Sequence, residues 1–419
     1  MARLITHAFA LAVISVALGS APAATRAVPI PSEPDSEPSA LLPAQAALEV
    51  GTLDAAQAAT QPGTQAAVTF DPQRGLPHWL HAIRDVALWS TSDSAATAAI
   101  ALPAGSTYVK PLGPFVDARV QVYFPGDSVH PAERAWVDTT AVEPSGVPPW
   151  IAPPAPPVDG VAASLPRPPR RVSDAPAPET TAIHIAIVDD GSGQLLYAEA
   201  PHTQVPQAST TKIATTIVAL ERSPDLSKRI NVTVSAEAMV ARDGSSTMGI
   251  EPGLAVSMDT LLHGMMLPSG NDAAEQVALT LAGSREQYVG WMNDEAAALG
   301  LKNTHFANPS GMDAADHYSS AYDMAMLARY AMRNATFRDL VSATHYTGDG
   351  FPMQNLNRLL EVYPGADGVK IGYTDAAQKT IVASATRDGH RVFVSLMHSE
   401  DLVSDCTLLF DWVWDTFAW

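Results

Sequence analysis

Residues 206–215 read PQASTTKIAT and place Lys212 three positions after Ser209. On a helix that spacing puts the two side chains on one face, about 5–6 Å apart at Cβ, so an amine can meet a hydroxyl. A serine of ordinary acidity needs such a base before it can act as a nucleophile. A helix cap followed by a solvated charge gives the same local pattern, so the pair needs partners elsewhere in the chain. Two further segments supply them. Ser269-Gly270-Asn271 falls in a break that Pro268 and Gly270 set between two helical patterns, where a hydroxyl and an amide project from a loop. Lys370-Ile371-Gly372-Tyr373 opens a strand-like run in which Gly372 lets a substrate backbone approach closely. A helix beginning at Ser209 would also turn its free N–H groups toward that residue, a positive end beside a developing oxyanion.

The elements that must position these residues lie in the chain from about residue 181 to 419. This stretch opens with AIHIAIVDDGSGQLLYAEA, two strand-like runs around Asp190-Gly191, and closes with KTIVASATRDGHRVFVSLMHS, a second pair around Asp388-Gly389. Between them the periodicity is helical: Ile213, Ile217 and Leu220; Leu261 to Met266, ended by Pro268; Asp272 to Ala282; Ser284, with Gln287 three residues on, to Gly300; and about 320–333. A last helix covers about 401–417. Strands from both ends are expected to meet in one antiparallel sheet with helices packed on it, the central helices forming a second lobe and the cleft lying between them.

The preceding residues differ in character. The start, MARLITHAFALAVISVALGSAPAA, has a cation, a short apolar run and a small-residue site, the pattern of a signal segment over 1–23 and hence of export. Residues 24–68 are Ala-, Pro-, Ser- and Gln-rich and read as a tether. Across 76–144, Trp79, Trp89, Tyr108, Phe115, Tyr123 and Trp136 punctuate short β-prone runs, which predicts a small all-β module with these aromatics in its core. Residues 144–178 hold 12 of the 34 prolines, so 145–180 reads as an extended spacer before the 181–419 domain. The chain is therefore expected to be multidomain. A formal charge of −19, with only 25 Lys plus Arg in 419 residues, argues against nucleic acid as a partner. No His-Glu-x-x-His or comparable ligand spacing occurs, so neither metal nor cofactor is expected. The lone Cys406 reads as a buried small side chain, and His317 as a structural hydrogen-bonding histidine. Trp412, Trp414 and Trp419 read as packing residues, with contact to a membrane or wall surface as the alternative.

The ordered set S-x-x-K, S-x-N and K-x-G, together with LPSGNDAAEQVA, FANPSGMD and DGVKIGYT, resembles the D-alanyl-D-alanine carboxypeptidase family of serine peptidases, relatives of penicillin-binding proteins and class A β-lactamases. The resemblance covers 181–419 and implies an α/β serine D,D-peptidase fold; 76–144 more loosely resembles an SH3-like barrel. It implies that Ser209 forms an acyl-enzyme with stem peptides ending in D-Ala-D-Ala, or with β-lactams, and that Lys212, uncharged through burial and nearby Lys370, is its base. Ser269 would relay the proton to the leaving D-alanine, and Asn271 would orient Lys212 and the substrate amide. The N–H groups of Ser209 and Tyr373 would form the oxyanion hole, and Lys370 would face the terminal carboxylate. The family places Thr or Ser where this chain has Ile371, which removes a hydroxyl from that carboxylate; Thr374 is the available substitute. A D,D-endopeptidase, a β-lactamase and a non-catalytic envelope-binding module are the alternatives, the second disfavoured by the lack of an E-x-x-L-N stretch.

Overall fold

The computed structural model describes residues 76–93, 98–127, 129–151, 168–223 and 225–419. The expected signal segment and the tether over 24–68 lie outside them. All the described residues belong to one compact unit.

The site rests on a five-stranded antiparallel sheet. Its strands are β9 (His184–Asp189), β10 (Leu195–Glu199), β15 (Ala366–Thr374), β16 (Gln378–Arg387) and β17 (His390–Ser399), in the order β10-β9-β17-β16-β15. Strands from both ends of the domain thus pair directly, Ile187 opposite Val394. The turn between β16 and β17 is Asp388-Gly389, both with positive φ (52° and 83°), the conformation a two-residue hairpin requires. Both faces of the sheet are covered, which is why its strands read as nearly unbroken apolar runs. Ala186, Val188 and Phe393 face the helical lobe. Ile185, Ile187, Val392, Val394 and Leu396 face α9 (Leu402–Thr416) through Leu409, Phe410 and Val413.

The lobe contains α1 (Lys212–Arg222), α2 (Ala236–Asp243), α3 (Met258–Met266), α4 (Asn271–Ala282), α5 (Arg285–Ala298), α6 (Ala321–Ala331), α7 (Ala335–Ser342) and the single turn α8 (Leu359–Val362). Every residue of α1 from Lys212 to Glu221 is buried, so it is the axis of the lobe rather than an amphipathic surface helix. Two strand pairs edge the lobe: β11 (Arg229–Asn231) with β12 (Ala255–Ser257), between which α2 intervenes, and the hairpin of β13 (His345–Gly348) with β14 (Phe351–Gln354). The helical and strand periodicity of the sequence does not mark the short α2 and α7 or these two strand pairs. No helix among the described residues is long and apolar enough to cross a membrane.

The N-terminal module contains β1 (Trp79–Ala82), β2 (Val86–Leu88), β3 (Ile100–Leu102), β4 (Tyr108–Val116), β5 (Arg119–Phe124), β6 (Glu133–Asp138) and β7 (Val142–Ser145). Five form a sheet in the order β6-β5-β4-β1-β7, and β2 pairs with β3. Its own core is aliphatic, built from Leu80, Leu88, Val120, Val122 and Val137. Trp79 and Tyr123, expected inside the module, instead belong to the core of the helical lobe. The Trp79 indole donates to Ala298 O at 2.8 Å, and Asn334 donates to the Tyr123 hydroxyl at 3.0 Å.

The described ends of the expected spacer are packed as well. Ile151 is buried in the lobe core. β8 (Arg170–Arg171) pairs with β18 (Phe417–Ala418), and Trp412 donates to Ala175 O at 3.1 Å. The indole of Trp419 is likewise engaged, by Asp189 at 2.7 Å.

Candidate active site

Ser209 lies in a 3₁₀ turn, Ala208–Thr211, that runs directly into α1 at Lys212. Two close approaches hold this turn. A Cβ on Gly372 would stand 2.7 Å from Ser209 N, and one on Gly311 would stand 2.1 Å from Ala208 O. Gly372 was expected to make room for a substrate backbone; what it admits is the backbone of the serine turn itself. Ala208 has φ +50°, a left-handed conformation that costs a non-glycine residue on the order of 1–3 kcal/mol and collects at functional sites. Ser269, between α3 and α4, also lies in this region, with φ +64°. Asn271, expected on a loop, is the first residue of α4.

Lys212 is fully buried. Its Nζ lies 2.9 Å from Ser209 Oγ, 2.7 Å from Asn271 Oδ1 and 2.6 Å from Ser310 O. An uncharged amine has two N–H bonds and one lone pair. Asn271 Oδ1 and Ser310 O can only accept, so in the uncharged state they take the two protons and the lone pair is left for the Ser209 hydroxyl. Burial, and secondarily the charge of Lys370, pushes the Lys212 pKa far below the ordinary lysine value, against the opposing charges of Asp272 and Glu275. Nζ is thus positioned and tuned to take a proton from Oγ.

A second layer fixes these partners. Asn271 Nδ2 donates to Ser245 Oγ at 3.1 Å, which sets the amide with its oxygen toward Lys212. Asn308 Oδ1 accepts from Ser310 N and Gly311 N, shaping the turn that presents Ser310 O. The Asp272 carboxylate accepts from the backbone N–H groups of Met248, Gly249 and Ile250. The sequence reading missed Ser245, Asn308 and Ser310. Only Asn-Pro-Ser-Gly within FANPSGMD, as a turn signal, could have pointed to this role. His317 accepts from Ala307 N through Nδ1 at 2.9 Å, leaving its proton on Nε2, 2.9 Å from Thr211 Oγ1. Burial lowers its pKa to about 4, so it stays a neutral structural group supporting the serine turn.

Ser209, Ser269, Asn271, Ile371, Gly372, Tyr373 and Thr374 line one cleft of about 1000 Å³. β15 is the edge strand on this side, so one row of its N–H and C=O groups has no strand partner. Lys370 sits near the middle of β15 rather than at its start, is 2 % exposed and does not line the cleft. Its Nζ donates to Ile371 O at 3.0 Å, and burial lowers its pKa to about 7. The Thr374 hydroxyl is already committed, donating to Asp313 at 2.8 Å and accepting from Ala377 N at 3.0 Å.

A mixed helical lobe on an antiparallel sheet, with a serine–lysine pair at the start of the lobe's central helix, has the build of a serine acyltransferase that uses lysine as base. The family model of D-alanyl-D-alanine carboxypeptidases, Peptidase S11, matches residues 171–401, and the chain belongs to this family. It is 35% identical over 212 residues to D-alanyl-D-alanine carboxypeptidase DacF of Bacillus subtilis, a match covering 49% of this chain and 54% of that protein. It is 35% identical over 251 residues to DacB2 of Mycobacterium tuberculosis, covering 57% and 84%. The Streptomyces K15 DD-transpeptidase structure superposes with a TM-score of 0.55 at 31% identity, over 57% of this chain and all of that one. The chain spans about half the length of DacF.

Proposed function

We propose that this protein is a serine-type D-alanyl-D-alanine carboxypeptidase that trims peptidoglycan stem peptides outside the cytoplasm. The observation that carries the reading is the 2.9 Å contact of Lys212 Nζ with Ser209 Oγ at a fully buried lysine whose pKa burial lowers. Ser209 Oγ attacks the carbonyl between the two terminal D-alanines as its proton passes to Lys212. The tetrahedral oxyanion is met by the N–H groups of Ser209 and Tyr373, each such donor contributing about 10²–10³ in rate. Collapse breaks the C–N bond. The departing amine takes the proton by way of Ser269, and water then hydrolyses the ester to free Ser209. A penicillin would follow the first half of the route and stop at the ester. The reading extends to an SH3-like identity for the 76–144 module, supported by its five-stranded sheet and β2-β3 pair, and to export, supported by the sequence of residues 1–23.

The test uses the full chain and its Ser209→Ala variant, each with labelled penicillin and a pentapeptide ending in D-Ala-D-Ala. Label on the parent and released D-alanine, both abolished in the variant, are expected. Label without release would support the endopeptidase alternative. Absence of both would remove the enzymatic reading and leave the envelope-binding one.

A further inference from the structure

A carboxypeptidase substrate ends in a carboxylate, and the groups first expected to hold it are poorly suited. Ile371 has no hydroxyl, and that of Thr374 is bound to Asp313. Lys370 is buried, and its amine is turned to Ile371 O. Glu400 and Asp401 also line the cleft and repel an anion.

Two described cations line the cleft, Lys379 and Arg358. Lys379 donates to Glu400 O at 2.6 Å. Arg358 is exposed, and no carboxylate among the described residues pairs with it. The backbone that carries it is anchored on both sides. Leu356 N donates to Leu267 O at 3.1 Å, two residues before Ser269. Asn357 Nδ2 donates to Gly368 O at 3.2 Å, two residues before Lys370. Arg358 therefore stands on the cleft wall between the Ser269 turn and the Lys370 segment.

We propose that Arg358 is the specificity residue that holds the substrate's C-terminal carboxylate, in place of the hydroxyl that Ile371 lacks. The proposal rests on the peptidase reading above. A guanidinium suits the task because it stays charged at every working pH and presents two parallel N–H donors to a carboxylate. Lys370, whose pKa burial brings to about 7, is only partly charged near neutrality.

The experiment compares the full chain with Arg358→Gln and Arg358→Lys on two peptides, one ending in D-Ala-D-Ala and the other identical but for a C-terminal carboxamide. Losing a charged hydrogen bond should lower kcat/KM of Arg358→Gln for the acid about 10- to 100-fold, through KM rather than kcat, with the amide nearly unaffected. Arg358→Lys should recover part of the loss. A variant that keeps the parental acid-to-amide ratio overturns the role of Arg358 while leaving the peptidase reading intact. A parent that cleaves neither peptide overturns both.

Discussion

Burial pushes the pKa of two lysines of the site, Lys212 and Lys370, well below the ordinary lysine value. Lys212 benefits chemically, because only its uncharged form can accept the Ser209 proton, so acylation should fall as pH drops through its lowered pKa. Lys370 shows what such burial costs. A lysine with a depressed folded pKa binds fewer protons folded than unfolded, so stability declines as pH falls from the unfolded value toward the folded one. For Lys370 the window runs from about pH 10.4 down to about 7. At pH 7 the penalty is roughly 4 kcal/mol by linkage, offset in part by its bond to Ile371 O. Lys370→Met is therefore expected to be more stable than the parent at pH 7 and no more stable near pH 10, by urea unfolding at both values. An equal difference at the two pH values would contradict this account.

At the scale of elements, the site is a junction where the serine turn is squeezed between β15 and the 308–311 turn. Glycine is required at both contacts. Gly372→Ala would place its Cβ 2.7 Å from both Ser209 N and the Thr380 hydroxyl of β16; the side-chain rotor can turn away, whereas the backbone of the serine turn must shift and take the nucleophile with it. Penicillin acylation is expected to fall at least about tenfold with an unchanged circular dichroism spectrum, since misplacing a nucleophile by a fraction of an ångström is enough. Gly311→Ala is harsher: it adds a 2.1 Å contact with Ala208 O and a φ of +93°, and it should lower stability as well as activity. Tolerance of alanine at Gly372 would show that the turn has room the present geometry denies it.

At the scale of the whole molecule, the N-terminal module is part of the enzyme's body. Lys110 of β4 is buried between Glu221, at the far end of the helix that begins with Lys212, and Glu295 of α5. Its Nζ lies 2.6 and 2.8 Å from the Glu221 oxygens, and Tyr330 donates to Glu221 at 2.6 Å. Burial and the neighbouring charge of Glu221 push the Glu295 pKa up, against the opposing charge of Lys110. Removing the cation would leave two buried carboxylates unpaired, so Lys110→Met should cost about 3–5 kcal/mol, with Glu221→Gln/Glu295→Gln added to it restoring part. A single thermal transition shared by module and peptidase domain is expected in the parent. Two separate transitions would mean the module is merely appended.

The order of the three short motifs pointed to the proposed chemistry, and the alternation and helical spacing of apolar residues determined the sheet, its central helices and their approximate ends. These features are local: hydrogen-bonding periodicity and turn stereochemistry act over a few residues and leave a mark in the text. Tertiary structure alone decided which groups complete the site, because Ser310 O reaches Lys212 across 98 positions and Ser245 reaches Asn271 across 26, separations no periodicity encodes. It also decided that Trp79 and Tyr123 serve the peptidase core rather than their own module. An aromatic ring buries equally well on either side of a thin sheet, and only the docked partner settles which side is dry.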